Sequence, residues 1–285
     1  MSTLWLVATP IGNLGDLAPR AVDVLAAVEL VCCEDTRRTG NLLRHAGIRA
    51  NRLTVCNEHT EFDLTTQVLD VLSSGANVAV VSDAGSPGIS DPGERLVAAA
   101  IEAGHTVSAV PGPSAATMAV TISGLPSGRH VMEGFLPRKG RERTERIAEI
   151  AAETRTVVLY EAPHRIERTL NDLLSACGTE RTVAVSRELT KLHEQTIRGT
   201  LGSIEVDKPR GEYVIVLGGV STEPTPIPDD DVRAALRSSI ADGASTRDAA
   251  ASVAATTGRR RRDVYQMALG LNTSPTPGPL TDRAN

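Results

Sequence analysis

Two polar clusters stand where short apolar runs end. The run Glu29-Leu30-Val31-Cys32-Cys33 passes into Glu34-Asp35-Thr36-Arg37-Arg38, and Leu53-Thr54-Val55-Cys56 passes into Asn57-Glu58-His59. Carboxylates and an imidazole are the groups that take a proton from a reacting hydroxyl, and the guanidiniums beside them are suited to an anion. A second assignment fits the first cluster equally well on local grounds: Asp35 or Thr36 caps the helix that runs to His45. A third directed charge, Asp83, lies in a loop made almost wholly of glycine, proline, serine and aspartate, Ser82-Asp83-Ala84-Gly85-Ser86-Pro87-Gly88-Ile89-Ser90-Asp91-Pro92-Gly93.

That loop follows the apolar run Val78–Val81, and a second one, Pro111-Gly112-Pro113-Ser114-Ala115-Ala116, follows Thr106–Val110. Between them an alanine-rich helix from Glu94 to Ala103 ends at Gly104. Strand, helix and strand form a βαβ unit of a parallel sheet, and ligands bind such sheets beyond the carboxyl ends of the strands. Ordinary connections there take about two to six residues, so the first loop is long for a mere link. Its spacing is neither G-x-G-x-x-G nor G-x-x-x-x-G-K-[ST], which leaves a dinucleotide fingerprint and a P-loop unsupported. The opening strand Leu4–Ala8 repeats the arrangement, running into Thr9-Pro10-Ile11-Gly12-Asn13-Leu14-Gly15-Asp16 and a helix from Pro19 to Ala27. Because parallel strands end on one side, Glu34, Asp35, Asn57, Glu58 and His59 are expected to share a face with these loops.

Ser123-Gly-Leu-Pro-Ser127 marks a domain boundary. Beyond it, Arg138 to Arg146 carries five basic residues against two acidic, either an ion-paired helix face or a patch for RNA phosphates. Further strands are expected at Thr156–Tyr160, Thr182–Ser186, Glu194–Arg198 and Gly211–Gly219, with charged ends at Glu161, His164, Arg165, Arg187, Glu188 and Lys191. The expected divisions are 1–124, 125–220, a Pro- and Thr-rich linker 221–229, a helix-turn-helix-like appendage 230–271 and a disordered tail 272–285. Arg259-Arg260-Arg261-Arg262 is expected to open the last helix, where positive charge opposes the macrodipole unless an anion relieves it.

The chain is 285 residues long with a net charge of −5, which argues against a surface coated for nonspecific nucleic-acid binding. Aromatic residues make up only 2 %, too few for extended base-stacking platforms. The cysteines (Cys32, Cys33, Cys56 and Cys177) show neither zinc spacing nor a disulfide framework. No signal peptide or spanning segment is expected, hence a cytoplasmic protein without membrane contact.

Taken together, Thr9–Asp16, Cys33–Arg37, Ser82–Gly93, Pro111–Ala115 and Tyr160-Glu161-Ala162-Pro163-His164-Arg165 resemble the ribosomal RNA small subunit methyltransferase I family, the rRNA-modifying branch of the tetrapyrrole methylase superfamily. The resemblance runs from about Leu4 to Gly219 and extends to the three-helix tail. It implies a two-domain α/β tetrapyrrole-methylase-like fold with S-adenosylmethionine in the interdomain cleft, a small helical C-terminal appendage, and a homodimer. It implies methylation of the ribose 2′-hydroxyl of a decoding-centre cytidine in 16S rRNA of the small ribosomal subunit. Cofactor contacts are then expected at Asp83, Ala84, Gly85, Ser86, Ile89, Ser114, Ala115 and Glu161, with backbone contacts at Pro10 and Ile11. Ala8-Thr9-Pro10-Ile11-Gly12 departs from the glycine-rich opening of tetrapyrrole-modifying relatives, which favours the RNA branch. On this reading Glu34, Asp35, Glu58 or His59 takes the hydroxyl proton. Arg37, Arg165 or Lys191 holds the neighbouring phosphate, and Arg38, Arg138, Lys139, Arg141, Arg259 and Arg260 are further RNA contacts. A tetrapyrrole or corrinoid methyltransferase and a non-catalytic RNA-binding assembly factor are the rival readings. The first leaves the basic patches without a role and the second the ligand loops.

Overall fold

Alternation of apolar residues along each strand decides how the first sheet is covered. In a computed structural model, which describes residues 2–49, 51–57, 60–89, 91, 93–207, 209–220 and 227–272, strands β1 (Thr3–Val7), β2 (Leu30–Cys33), β3 (Leu53–Val55), β4 (Val78–Val80) and β5 (Thr106–Val110) pair in parallel in the order β3-β2-β4-β1-β5. Leu4, Leu30, Cys32, Val78 and Val80 face helices α3 (Glu61–Ser73) and α4 (Glu94–Glu102). Val7, Val31, Cys33 and Ala79 face α1 (Pro19–Ala27) and α2 (Thr36–His45). Both faces are buried, as an all-parallel sheet requires. Every strand therefore delivers its carboxyl end to the same edge. Glu58 and His59 lie outside the described residues, as do residues 221–226 of the expected linker and residues 273–285 of the expected tail.

One buried carboxylate fastens this layer. Glu61 opens α3, is 6 % exposed, and its Oε1 accepts the backbone N–H groups of Gly93, Arg95 and Leu96 at 3.1–3.3 Å. These are donors that the first turn of α4 leaves without intrahelical partners, and an anion at a helix N-terminus also meets the favourable end of its dipole.

The second sheet is mixed. Strands β6 (His130–Phe135), β7 (Thr156–Glu161), β8 (Thr182–Arg187), β9 (Gln195–Thr200) and β10 (Tyr213–Leu217) run in the order β6-β7-β10-β8-β9. Only β6 and β7 are parallel; β10 enters antiparallel between β7 and β8. One face packs on α6 (Arg141–Ala152) and α7 (Ile166–Cys177) through Ile147, Ile150, Ile166, Leu170 and Leu173. The other receives α5 (Ala115–Ser123), whose Ala119 and Val120 pack on Val158, Ala184, Val214 and Val216. Thus α5, which follows the last strand of the first sheet, is the covering layer of the second. Residues Met1–Val220 form one compact unit.

Ser221–Asn285 forms another. Its helices α8 (Asp229–Ala241), α9 (Thr246–Thr257) and α10 (Arg261–Asn272) enclose a core of Val232, Leu236, Ala249, Ala250, Val253, Ala254, Val264 and Ala268. The last helix begins at Arg261, two residues later than the sequence suggests. Arg259 is not waiting for an external anion: its guanidinium pairs with Asp229 and donates to the carbonyl of Ile227. Among the described residues no helix is long and apolar enough to cross a membrane.

Replacing Glu61 with alanine leaves three buried N–H groups without a partner. We expect a loss of about 1–3 kcal/mol and a fall of several degrees in melting temperature. Glu61→Gln, which keeps an acceptor oxygen, is expected to lose less. Equal melting of wild type and Glu61→Ala in a calorimetric scan would refute the capping role.

Candidate functional site

The carboxyl ends of β2 and β4 are tied to each other. Glu34, the residue after β2, accepts the Asp83 N–H at 2.9 Å, and Asp83 in turn accepts the Asp35 N–H at 3.3 Å. Arg38, one turn into α2, closes the group with a 2.8 Å ion pair to Asp83. The opening loop joins from the far side of β4: Thr9 and Gly85 exchange backbone bonds of 2.8 and 3.1 Å, and the Thr9 hydroxyl donates to the Ser82 carbonyl at 3.0 Å. Gly85 has φ +89°, a left-handed backbone that a side chain disfavours, so the exchange depends on glycine there. Gly112 is required for a different reason, since a Cβ would lie 2.8 Å from that of Ala8. Ser114 caps α5, accepting the Thr117 N–H at 3.4 Å.

These loops form one wall of a cavity of about 410 Å³. From the first half it is lined by Ile11, Glu34, Arg38, Asp83, Ala84, Gly85, Ser86, Ile89, Asp91, Ser114 and Ala115. The ends of β6, β7, β8 and β10 supply the opposite wall, including Phe135, Tyr160, Glu188, Leu189, Lys191, Glu212 and Val214. The rings of Phe135 and Tyr160 stand 5.5 Å apart, tilted at 49°. Lys191 bridges Glu188 at 2.9 Å and Glu212 at 3.0 Å. A second cavity of about 400 Å³, which also reaches Pro10, shares Ile11, Arg38, Asp83, Lys191 and Glu212 with the first. The ion pairs therefore stand in the partition between the two.

Electrostatics divide the carboxylates. Glu34 is raised above the usual carboxylate range, by burial first and by the charge of Asp83, while the Asp83 N–H and Arg38 oppose the rise. Asp91 is pushed up to about 7, again by burial first, then by the charges of Glu34 and Asp83, with the Ser82 hydroxyl opposing. Asp35 moves the other way, lowered by the Arg37 backbone N–H and then by its guanidinium.

The expected cofactor residues Ile11, Asp83, Ala84, Gly85, Ser86, Ile89, Ser114 and Ala115 come together in the first cavity, while Pro10 lines only the second. Glu161 borders the first cavity, but its carboxylate is spent inside the protein: it accepts from Thr169 at 2.6 Å and from the Ala162 N–H at 2.9 Å, and pairs with Arg165 at 3.1 Å. Of the expected catalytic residues, Glu34 faces the cavity. Asp35 does not; it is the N-cap of α2, accepting the Arg37 N–H at 2.8 Å. Glu58 and His59 fall outside the described residues.

The basic residues separate in the same way. Arg165 is turned inward to Glu161 and to the Leu136 carbonyl at 2.6 Å, and Arg143, with its side chain 4 % exposed, is held by Asp172 at 2.7 Å. Arg141 pairs with Glu145 along the helix, and Arg37 with Asp35. Arg138, Lys139 and Arg260 remain exposed without an ion pair among the described residues. Asp91, Phe135 and Glu212 were not singled out from sequence, and Glu188 was named only as a charged strand end. Asp91 reads as part of a Ser-Asp-Pro-Gly turn, and nothing local in the sequence pairs Glu212 with Lys191.

Comparison with known proteins places this geometry. The family model for Tetrapyrrole (Corrin/Porphyrin) Methylases matches residues 3–205, and that for the RsmI C-terminal HTH domain matches residues 226–272. The chain is 45 % identical over 276 residues to ribosomal RNA small subunit methyltransferase I of Synechocystis sp., covering 95 % of this chain and 99 % of that protein. It is 41 % identical to the protein of the same name from Mycobacterium tuberculosis, covering 93 % and 94 %. Among solved structures, the methyltransferase CobJ superposes with a TM-score of 0.60 at 19 % identity, covering 79 % of this chain and 97 % of that one. Uroporphyrin-III-C-methyltransferase from Thermus thermophilus gives 0.53 at 20 %, covering 76 % and 94 %. At these identities the two structures speak to the fold alone.

Lys191→Ala removes the cation that joins Glu188 to Glu212, in a segment where Glu188 and Thr190 already have φ of +50° and +67°. Left-handed backbone at such residues persists only when its surroundings hold it. We expect amide exchange across Glu188–Glu194 to quicken several-fold while the core of β10 keeps its protection. An unchanged segment would show that the bridge does not hold it.

Proposed function

The chain belongs to the ribosomal RNA small subunit methyltransferase I family, within the tetrapyrrole (corrin/porphyrin) methylases, and we propose that it methylates the ribose 2′-hydroxyl of a decoding-centre cytidine in 16S rRNA, with S-adenosylmethionine as donor. That the chain is a methyltransferase follows from the family. The substrate rests on one observation above the others: the relatives at 41–45 % identity, matched over nearly their whole length, are named for small-subunit ribosomal RNA. The tetrapyrrole-modifying neighbours share only the fold.

The cavity's chemistry fits such a donor. Its apolar side (Ile11, Ile89, Leu189, Val214 and the Tyr160 ring) suits a nucleoside base. Its acidic side (Glu34 and Asp83) suits a cation. Bound there, S-adenosylmethionine supplies a methyl group on a positively charged sulfur. The protein's share is to position donor and hydroxyl, which can lower the barrier by about 7–11 kcal/mol in well-oriented reactions, and to remove the hydroxyl proton. Residues 1–124 and 125–220 supply the two walls, and residues 230–271 serve as an RNA-contacting appendage. Exposed Arg260, Arg261 and Arg262 are its phosphate contacts, joined in the main unit by Arg138 and Lys139. The reading also has the protein acting in the cytoplasm as a homodimer.

Purified protein incubated with methyl-labelled S-adenosylmethionine and small ribosomal subunits from cells lacking the enzyme is expected to place label on one decoding-centre ribose. Label on a base, or none with donor bound, would overturn the substrate assignment. A triple change of Arg260, Arg261 and Arg262 to alanine is expected to weaken RNA binding and to flatten its logarithmic salt dependence by roughly 0.7–0.9 per lost contact. An unaltered salt slope would remove the appendage from the RNA interface.

A further inference from the structure

Six carboxylates line the first cavity: Glu34, Asp83, Asp91, Glu161, Glu188 and Glu212. Five of them are already engaged by a protein donor of full charge or by a backbone N–H. Glu34 holds the Asp83 N–H, and Asp83 holds Arg38 and the Asp35 N–H. Glu161 holds Arg165, and Glu188 and Glu212 share Lys191. Asp91 alone has neither a cation nor a backbone N–H among the described residues; near it stands the Ser82 hydroxyl, which also reaches the Gly85 carbonyl at 3.1 Å. A carboxylate pinned by such bonds is a weak proton acceptor, because those bonds favour its charged form.

We propose that Asp91 is the group that accepts the proton of the substrate hydroxyl, a role that rests on the methyltransferase reading above. Position supports it. Asp91 lies in the loop after β4 and lines the cavity together with Tyr160 of β7, whose hydroxyl feels its charge. Among the described residues the charged and titratable groups around it are Glu34 from the end of β2, Asp83 from its own loop, and Tyr160 from the second sheet. Arg38, the nearby cation, is taken up by Asp83. Burial and the two neighbouring negative charges bring the carboxyl to about 7, where a general base works best near neutral pH.

In the transfer, the O–H bond breaks and its proton passes to the Asp91 carboxylate. The freed electron pair of the oxygen forms the bond to the methyl carbon. The bond from that carbon to sulfur breaks with its pair remaining on sulfur, which loses its positive charge. Solvent then takes the proton from Asp91.

The sign of the pH dependence follows. Asp91 accepts a proton only when ionised, so single-turnover methylation of small subunits is expected to rise about tenfold per pH unit below 7 and to level off above it. Asp91→Asn, close to isosteric, is expected to slow that rate by on the order of 10²–10⁴-fold and to abolish the break, with donor binding by calorimetry largely retained. Glu34→Gln keeps an acceptor for the Asp83 N–H but removes a neighbouring charge, so the break is expected to move to lower pH. A readout independent of turnover is available: in protein labelled with carbon-13 at aspartate carboxyls, one resonance titrating near 7 is expected in wild type, displaced downward in Glu34→Gln and missing in Asp91→Asn. A wild-type rate in Asp91→Asn, or a break that survives in it, would overturn the proposal while leaving RNA methylation intact. Absence of RNA methylation by the wild type, with the aspartate still titrating near 7, would instead overturn the reading on which the proposal rests, and the proposal with it.

Discussion

Asp83 is held at its backbone by Glu34 and at its carboxylate by Asp35 and Arg38. These bonds tie the adjacent parallel strands β2 and β4 together beyond their carboxyl ends. Hydrogen bonds of the sheet stop at the ends of β2 and β4, and the loops beyond them have no ladder to fix their course. The Glu34–Asp83 exchange extends the pairing by side chains for one further step. The Thr9–Gly85 bridge does the same by backbone on the opposite flank. Between these restraints the glycine- and proline-containing loop can approach a ligand closely without collapsing onto the sheet.

The second sheet answers the first with a different topology. Its β10 runs antiparallel between β7 and β8, so the site receives the end of β7 and β8 but the beginning of β10. Tyr160 and Lys191 thus meet Glu212 and Val214 across neighbouring strands rather than along one. Helix α5 carries the two halves. Its N-cap Ser114 belongs to the loops that line the cavity, while its apolar face is core for the second sheet. The cavity is a consequence of that double duty: α5 cannot cover the second sheet without bringing β7, β8 and β10 over the ends of β1 and β4.

Much of this was legible in the sequence because it is periodic or local. The unbroken apolar runs Leu30–Cys33 and Val78–Val81, the turn glycines and the capping residues mark the strands of the first sheet and the loops at its edge to within a residue or two. Asp35 was legible as a cap for the same reason, since an N-cap needs only residues two or three positions away. What escaped depends on partners far along the chain. Glu61 caps a helix more than thirty residues ahead, and Lys191 finds Glu212 only because β10 inserts antiparallel. Arg165 and Arg259 read as anion-binding side chains, yet each is neutralised by a carboxylate that the fold brings to it. Asp91 escaped by the converse: what marks it is the lack of such a partner among the described residues, which no spacing records.

The central claim is that the donor occupies the cavity between the ends of the two sheets. Hydrogen–deuterium exchange of the full chain, with and without saturating S-adenosylmethionine, tests it directly. The account predicts slowed exchange at residues 83–89, 114–116, 160–163 and 212–214 together, because only a ligand in that cavity touches all four segments. Protection confined to one sheet, or falling elsewhere while calorimetry shows the donor bound, would contradict it.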